Sequence, residues 1–279
     1  LTKMVTDWFI EHEILTALAV MLTAWPIGIS VGLITQGGIA DAYGWSWVMH
    51  ATGVLAFAAL ILTAVLYRDA PGTGHAPAAR IRIGLPTRQF VHIGLVGIAW
   101  TLYNAAFIIF VSFVPDVLEQ HGYEPGVARS TTSLAMWSML ISVPFGGRLL
   151  EVFGWITASI VVTIAASALV MAAVAQGAAP EMLCVAFGVI SGIPAGALMA
   201  LSAEALTPDN RGPGLGIFYT WYYVGMTVSP AVAGWTRDAS GDAAAPVLLG
   251  ASYFGIVILC VALLRLLQAT WPIATRPAS

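Results

Sequence analysis

Residues 91–117 read Val91-His-Ile-Gly-Leu-Val-Gly-Ile-Ala-Trp-Thr-Leu-Tyr-Asn-Ala-Ala-Phe-Ile-Ile-Phe-Val-Ser-Phe-Val-Pro-Asp-Val117. Between His92 and Asp116 there is no Asp, Glu, Lys, Arg or His. A helix needs about 20 mostly apolar residues to cross the hydrocarbon core of a bilayer, and this run is long enough. Seven more stretches qualify, at roughly 14–36, 46–67, 127–150, 155–175, 181–204, 213–235 and 246–268. They are too long, and too rich in Ala, Leu and Met, for barrel strands of about ten alternating residues. The expected fold is an all-α, polytopic transmembrane helical bundle of about eight spanning helices.

Composition points the same way. Of 279 residues, 9% are charged and 59% apolar, where a soluble domain carries about 25% charge. Such a chain cannot cover a water-facing surface, so lipid is its solvent. A net charge of −3 gives no basic field for phosphate, so no nucleic-acid partner is expected. Cys184 and Cys260 lie in apolar runs and read as small packing residues.

The separators between runs contain Gly, Pro, Asn and Asp: Asp41-Ala-Tyr-Gly44, His121-Gly-Tyr-Glu-Pro125, Gln176-Gly-Ala-Ala-Pro180, Thr207-Pro-Asp-Asn-Arg-Gly-Pro213 and Asp238-Ala-Ser-Gly-Asp242. These residues supply the dihedrals and local hydrogen bonds that chain reversals need. One separator, 68–90, is long and hydrophilic and holds Arg68, Arg80, Arg82 and Arg88. It divides the chain into 1–67, with two helices, and 91–270, with six; 271–279 is a tail. With the N-terminus inside, Lys3, Arg68, Arg80, Arg82, Arg88, Arg148, Arg211, Arg265 and Arg276 share one side, against Arg129 and Arg237 on the other. The positive-inside rule then places both termini in the cytoplasm of an integral, multi-pass membrane protein, on the pattern of a bacterial inner membrane.

Three segments share the spacing Gly-x-x-x-Asp/Glu-x-x-Gly: Gly37…Asp41…Gly44, Gly147…Glu151…Gly154 and Gly234…Asp238…Gly241. The first and third each end an apolar run that is followed by one more. Two related six-helix halves would give this pattern, and four spanning helices are then expected before Leu1. The other reading is a complete eight-helix protein whose spacing is a coincidence.

These residues resemble the major facilitator superfamily of twelve-helix secondary transporters. Gly147-Arg-Leu-Leu-Glu-Val-Phe-Gly154 is similar to the family's loop signature between the second and third helices of a half. Trp8-Phe9 with Glu11 and Glu13, and then Gly44-Trp-Ser-Trp47, are similar to the segments flanking its fifth helix. Phe113-Val-Pro-Asp-Val-Leu118 with Gly122 resembles the exit of the seventh, and Arg211-Gly-Pro-Gly214 the turn before the eleventh. The chain departs from the pattern where a basic pair normally follows the signature, at Trp155-Ile156, and where Glu151 replaces Asp. The resemblance covers helices five to twelve. It implies a conformational lock at Gly147, Arg148, Glu151 and Gly154 that holds one state and breaks as the halves rock; the plain alternative for Glu151 is a solvated loop carboxylate.

Solute sites in transporters lie near mid-membrane. Trp100, Tyr103 and Asn104 occupy the centre of 91–117, and an amide at that depth needs a partner helix, water or a solute. Asn104 therefore reads either as interhelical glue or as a solute contact. Trp137, Tyr222 and Tyr223 are further pathway candidates, with packing as the alternative for each. Gly188, Gly192, Gly196, Ala200 and Glu204 recur every four residues, a small-residue stripe for close helix packing beside Pro194. No run has Asp, Glu, Lys or Arg at its centre, so a coupling ion has no obvious carrier here, and His50 and His92 sit near helix ends.

The function that follows is secondary transport of a small solute by alternating access, with a co-transported proton as a further partner. A non-transporting membrane subunit or a degenerate fragment is the alternative, with a membrane-embedded enzyme the least favoured reading. No His-Glu-x-x-His or Gly-x-x-x-x-Gly-Lys-Ser/Thr motif is present, so neither catalysis, a metal, a cofactor nor direct ATP drive is expected.

Overall fold

A computed structural model of the chain describes the backbone of residues 14–68, 84–153, 155–207 and 210–271, and their side chains except at 14–22, 148 and 150–153. It divides into two compact units, Leu1–Ile81 and Arg82–Ser279. In the first unit, α1 (Ile14–Tyr43) and α2 (Trp45–Leu66) pack together, joined by Gly44 alone. The second unit contains α3 (Thr87–Gln120), α4 (Pro125–Phe153), α5 (Ile156–Val174), α6 (Pro180–Gly192), α7 (Ala195–Glu204), α8 (Arg211–Ser240) and α9 (Ala244–Thr270). No strand occurs among the described residues.

Every expected run is met by helix, and the run at 181–204 is divided into α6 and α7 at Ile193-Pro194. Pro194 has no N–H for the carbonyl four residues back, which is why one span becomes two pieces. Several helices outrun their apolar stretches. The shared Gly-x-x-x-acid-x-x-Gly spacing explains this at two places, where its first residues are helical and its last glycine ends the helix. Gly44 has φ +88° and Gly241 has φ +69°. A left-handed φ is open to glycine at little cost, and such a residue closes a helix C-terminus. The third instance ends at Gly154, which lies outside the described residues.

α2, α3, α5, α6 with α7, and α9 are apolar enough over a full span to cross a membrane. α4 and α8 are as long, at 29 and 30 residues, with polar residues spread through them. A helix with one polar face can still span a bilayer when that face meets protein or water.

α3 is the axis of the second unit, with 67% of its most apolar window buried. Its stripe His92, Val96, Ala99, Tyr103, Phe107 and Phe110 is buried throughout. Phe110 stacks on Phe187 of α6 with centroids 4.1 Å apart, and Phe107 meets Phe187 at 5.3 Å and Phe254 of α9 at 6.4 Å. On another face, Gly97 and Thr101 receive α8: a Cβ on Gly97 would lie 3.2 Å from Trp221, and one on Gly225 would overlap the Thr101 methyl. Small residues at such crossings let backbones approach where lipid supplies no hydrophobic drive between helices.

The seam between α4 and α6 is built the same way. A Cβ on Gly188 would overlap the Ala135 carbonyl oxygen and Ser138 Oγ; one on Gly192 would overlap Ser142 Oγ; one on Gly146 would lie 2.5 Å from Ile193 Cα. Ser138 Oγ donates to the Val185 carbonyl (3.2 Å) and Ser142 Oγ to the Gly188 carbonyl (2.9 Å). Gly196 departs from the expected stripe: it is exposed, and a Cβ there would meet nothing within 4 Å. The break at Ile193-Pro194 ends the regular four-residue register, so the positions beyond it no longer continue the α6 face.

Polar contacts tie the helices at both ends of this unit. At one end Arg237 of α8 pairs with Asp116 of α3. At the other, Arg265 of α9 donates to Glu204 of α7 (2.5 Å), Gln268 (2.6 Å) and Thr157 of α5 (2.9 Å). Glu204 is therefore part of a network. Nearby, Thr207 bonds Gln89 through both backbone N–H and hydroxyl, and Arg88 lies 5.3 Å over the ring of Trp271. Tyr43, Trp45, Trp47, Trp155 and Trp235 are exposed at helix ends, the placement amphipathic rings take at a membrane–water interface.

Candidate functional site

α8 carries side chains of different character on its different faces. Its buried face, Gly214, Phe218, Ser229 and Ala233 with half-buried Gly225 between them, is turned to its neighbours in the bundle. The remaining arc carries two different stripes. Ile217, Trp221, Val224, Val228, Val232 and Trp235 form one, apolar and mostly exposed; Gly216, Thr220, Tyr223, Thr227, Ala231, Gly234 and Asp238 form the other, polar or small, and also largely exposed. Both follow i, i+3/i+4 spacing, so each is one line along the helix. Thr220 and Thr227 return their hydroxyl protons to the carbonyls of Gly216 and Tyr223, at 2.9 and 2.8 Å. Each hydroxyl oxygen keeps lone pairs that water or a solute can use.

The sequence candidates distribute unevenly around this line. Tyr223 is on the polar stripe and 64% exposed. Tyr222 is half-buried beside it, and Tyr219 links the two, with ring centroids 6.4 Å from Tyr222 and 6.2 Å from Tyr223. Phe218 joins Tyr219 (5.3 Å) to Trp100 (6.2 Å), so an aromatic chain runs from α3 to the polar stripe. Trp100 is half-buried and stacks on Tyr103 at 5.7 Å.

Tyr103 itself is 1% exposed, and its hydroxyl donates to the Ser191 carbonyl at 2.7 Å. That carbonyl is among the last four of α6, which have no intrahelical donor. Tyr103 thus closes the helix end at the α6–α7 break. Asn104 is buried, and its amide donates to the Trp100 carbonyl one turn back, at 2.8 Å; that bond lies within α3, where interhelical glue or a solute contact was expected. Trp137 lies on an exposed stripe of α4 with Ser130, Leu134, Ile141 and Phe145, and among the described residues no ring contact joins it to the chain on α8. The lock residues cannot be placed: Gly154 and the side chains of Arg148 and Glu151 lie outside the described residues, while the Gly147 Cβ position faces open space.

Thr220 and Thr227 were not singled out from sequence. Their signal is present, since both keep four- and three-residue steps with Gly216 and Tyr223, but a threonine in a spanning run reads as ordinary until exposure is known. Among the described residues no group of three or more His, Cys, Asp or Glu is placed to hold a metal.

No curated protein matches the chain. The family model described as Major Facilitator Superfamily matches it over residues 1–230 and again over 96–278. With an all-helical bundle of apolar spans and a match over nearly its whole length, the chain belongs to the major facilitator superfamily, a family of multi-pass membrane transporters.

Proposed function

We propose that this transporter moves a small organic solute by alternating access, and that the solute's path runs along the polar stripe of α8. The observation that carries the reading is the pair of adjacent exposed stripes on one helix, one apolar and one lined by Thr220, Tyr223 and Thr227. Lipid suits the first; the second gains by meeting water, because backbone-bonded hydroxyls and a phenol left in hydrocarbon lose their remaining hydrogen bonds. Hydroxyls and aromatic rings, with no charge until Asp238, suit a solute with polar groups on a compact organic body. Trp100, Tyr222 and Trp137 flank this path as secondary contacts.

The two family matches overlap over residues 96–230, which supports reading 91–270 as one of two related six-helix halves, with 1–67 belonging to the other, 68–90 as the linker and 271–279 as the tail. The distribution of Lys and Arg supports cytoplasmic termini, with the end that holds Arg88, Arg211 and Arg265 inside. Glu151 with Gly147, Arg148 and Gly154 forms the lock that steadies one state; a carboxylate there is held by the positive end of the next helix.

The test is uptake by proteoliposomes of the purified chain, offered a panel of labelled sugars, amino acids and carboxylates. Saturable uptake and counterflow of at least one panel member, reduced at least tenfold in Thr220→Val/Thr227→Val, supports the reading. Uptake no greater than in empty liposomes across the panel overturns it.

A further inference from the structure

His92 is 0% exposed, and its Nε2 is, among the described residues, the buried side-chain polar atom that has no hydrogen-bond partner. Its other nitrogen, Nδ1, lies 2.6 Å from the Arg88 carbonyl oxygen. A carbonyl only accepts, so Nδ1 carries the hydrogen and Nε2 presents a bare lone pair. A buried acceptor without a donor costs about 1–3 kcal/mol, and buried polar groups in folded proteins are nearly always paired. We propose that Nε2 of His92 is the site that takes up and releases a proton during transport, a step that rests on the transport reading above.

Placement supports this. His92 begins the buried stripe of α3 that continues through Tyr103, Phe107 and Phe110 to Ser191, Phe187 and Phe254 on α6 and α9. The charged residues at this end of the elements in contact with α3 are Arg88 on α3 itself, Arg148 and Glu151 on α4, Glu204 on α7, Arg211 at the start of α8 and Arg265 on α9. Glu204 and Arg265 satisfy each other. In the arrangement described, a proton added to Nε2 would form a new N–H with no acceptor. Uptake therefore requires α3 to repack against α7, α8 and α9 so that water or a solute oxygen reaches Nε2. The proton comes from water on one side and returns to water on the other; Nδ1–H stays on the Arg88 carbonyl, and no other bond changes. Occupancy of one atom is thereby tied to a choice between two packings, which is what coupling requires.

The experiment uses proteoliposomes of the full chain with pyranine in the lumen and the panel solute that shows counterflow. A pH gradient of one unit should drive about tenfold accumulation for one proton per solute, with a matching pyranine signal. His92→Gln and His92→Asn keep a polar side chain that does not take a proton at these pH values; they should accumulate to a ratio near one, give no pyranine signal, and retain counterflow. His50→Gln should behave as the unaltered protein. Tenfold accumulation by His92→Gln overturns the proposal. Counterflow without accumulation in the unaltered protein also overturns it, while leaving the transport reading standing; no counterflow at all defeats that reading instead. Loss of counterflow in both His92 variants, with monodisperse protein retained, makes His92 a packing residue and equally overturns it.

Discussion

Three glycines at successive four-residue steps should respond to the same substitution in three different ways. At Gly188 an added methyl meets the Ala135 carbonyl oxygen, which is backbone and cannot turn aside, as well as Ser138 Oγ. At Gly192 it meets Ser142 Oγ, with Ser142 Cβ at 3.1 Å and Met139 Cγ at 3.3 Å. At Gly196 it meets nothing within 4 Å. Overpacking of a close seam costs about 1–3 kcal/mol, so Gly188→Ala should lie near the top of that range and Gly192→Ala in its middle. Gly196→Ala, at the second residue of α7, should be neutral or gain up to about 0.5 kcal/mol, the low end of the advantage of Ala over Gly in a helix. At about 2–4 °C per kcal/mol for a unit of this size, the shifts are readable by thermal unfolding in detergent.

The companion serines sharpen the comparison. Ser142→Ala removes the oxygen that blocks Gly192, at the cost of its bond to the Gly188 carbonyl, an interhelical bond of about 0.6 kcal/mol. The pair Gly192→Ala/Ser142→Ala should therefore be less damaged than the sum of its parts by about 1–2 kcal/mol, the size of coupling seen between residues in contact. Ser138→Ala should not rescue Gly188→Ala, because the Ala135 carbonyl remains. Equal losses at all three glycines, or rescue at Gly188 and none at Gly192, would refute the packing described for this seam.

Other consequences can be checked alongside. Tyr103→Phe should lower stability by about 1 kcal/mol, because the Ser191 carbonyl at the α6 terminus loses its donor; counterflow should change little, and a large rise in solute KM would instead put Tyr103 on the path. Arg265→Lys should lose nearly as much thermal stability as Arg265→Met, since an ammonium cannot serve Glu204, Gln268 and Thr157 together as the guanidinium does; full stability in the lysine variant would count against the network. Glu151→Gln should change turnover more than solute affinity if the carboxylate steadies one state, and unchanged turnover would remove it from the mechanism.

Much of the bundle was legible from sequence because lipid enforces a simple rule: backbone groups must bond within the segment, so a long apolar run becomes a helix. The ends were less legible. Tyr43 and Ser240 are helical although they lie beyond the apolar stretches, since a helix continues until a residue such as Gly44 or Gly241 turns it off. Pro194 was visible beside the stripe, but that it breaks the helix and takes Gly196 out of the packing depends on register past it. The site was read only in part. Aromatic and amide side chains at the right depth were easy to name, yet Tyr103 and Asn104 spend their polar atoms on backbone carbonyls, a choice that sequence spacing does not reveal. The two stripes of α8 were missed because one contains only threonine, glycine, alanine and tyrosine at its centre, residue types equally at home in a helix seam. Glu204 and Arg265 are far apart in sequence and meet only through the fold.

Substituted-cysteine labelling along α8 tests whether its polar stripe faces water. Cys184 and Cys260 are both buried, and replacing them by Ala gives a silent background. Single cysteines at Thr220, Tyr223, Thr227, Val224, Val228 and Val232 are then exposed, in proteoliposomes, to a charged, membrane-impermeant thiosulfonate. Rapid labelling at 220, 223 and 227, slowed by the transported solute, with slow labelling at 224, 228 and 232, is the expected result. Equal rates on the two stripes, or faster labelling on the valine stripe, would contradict a solute path along α8.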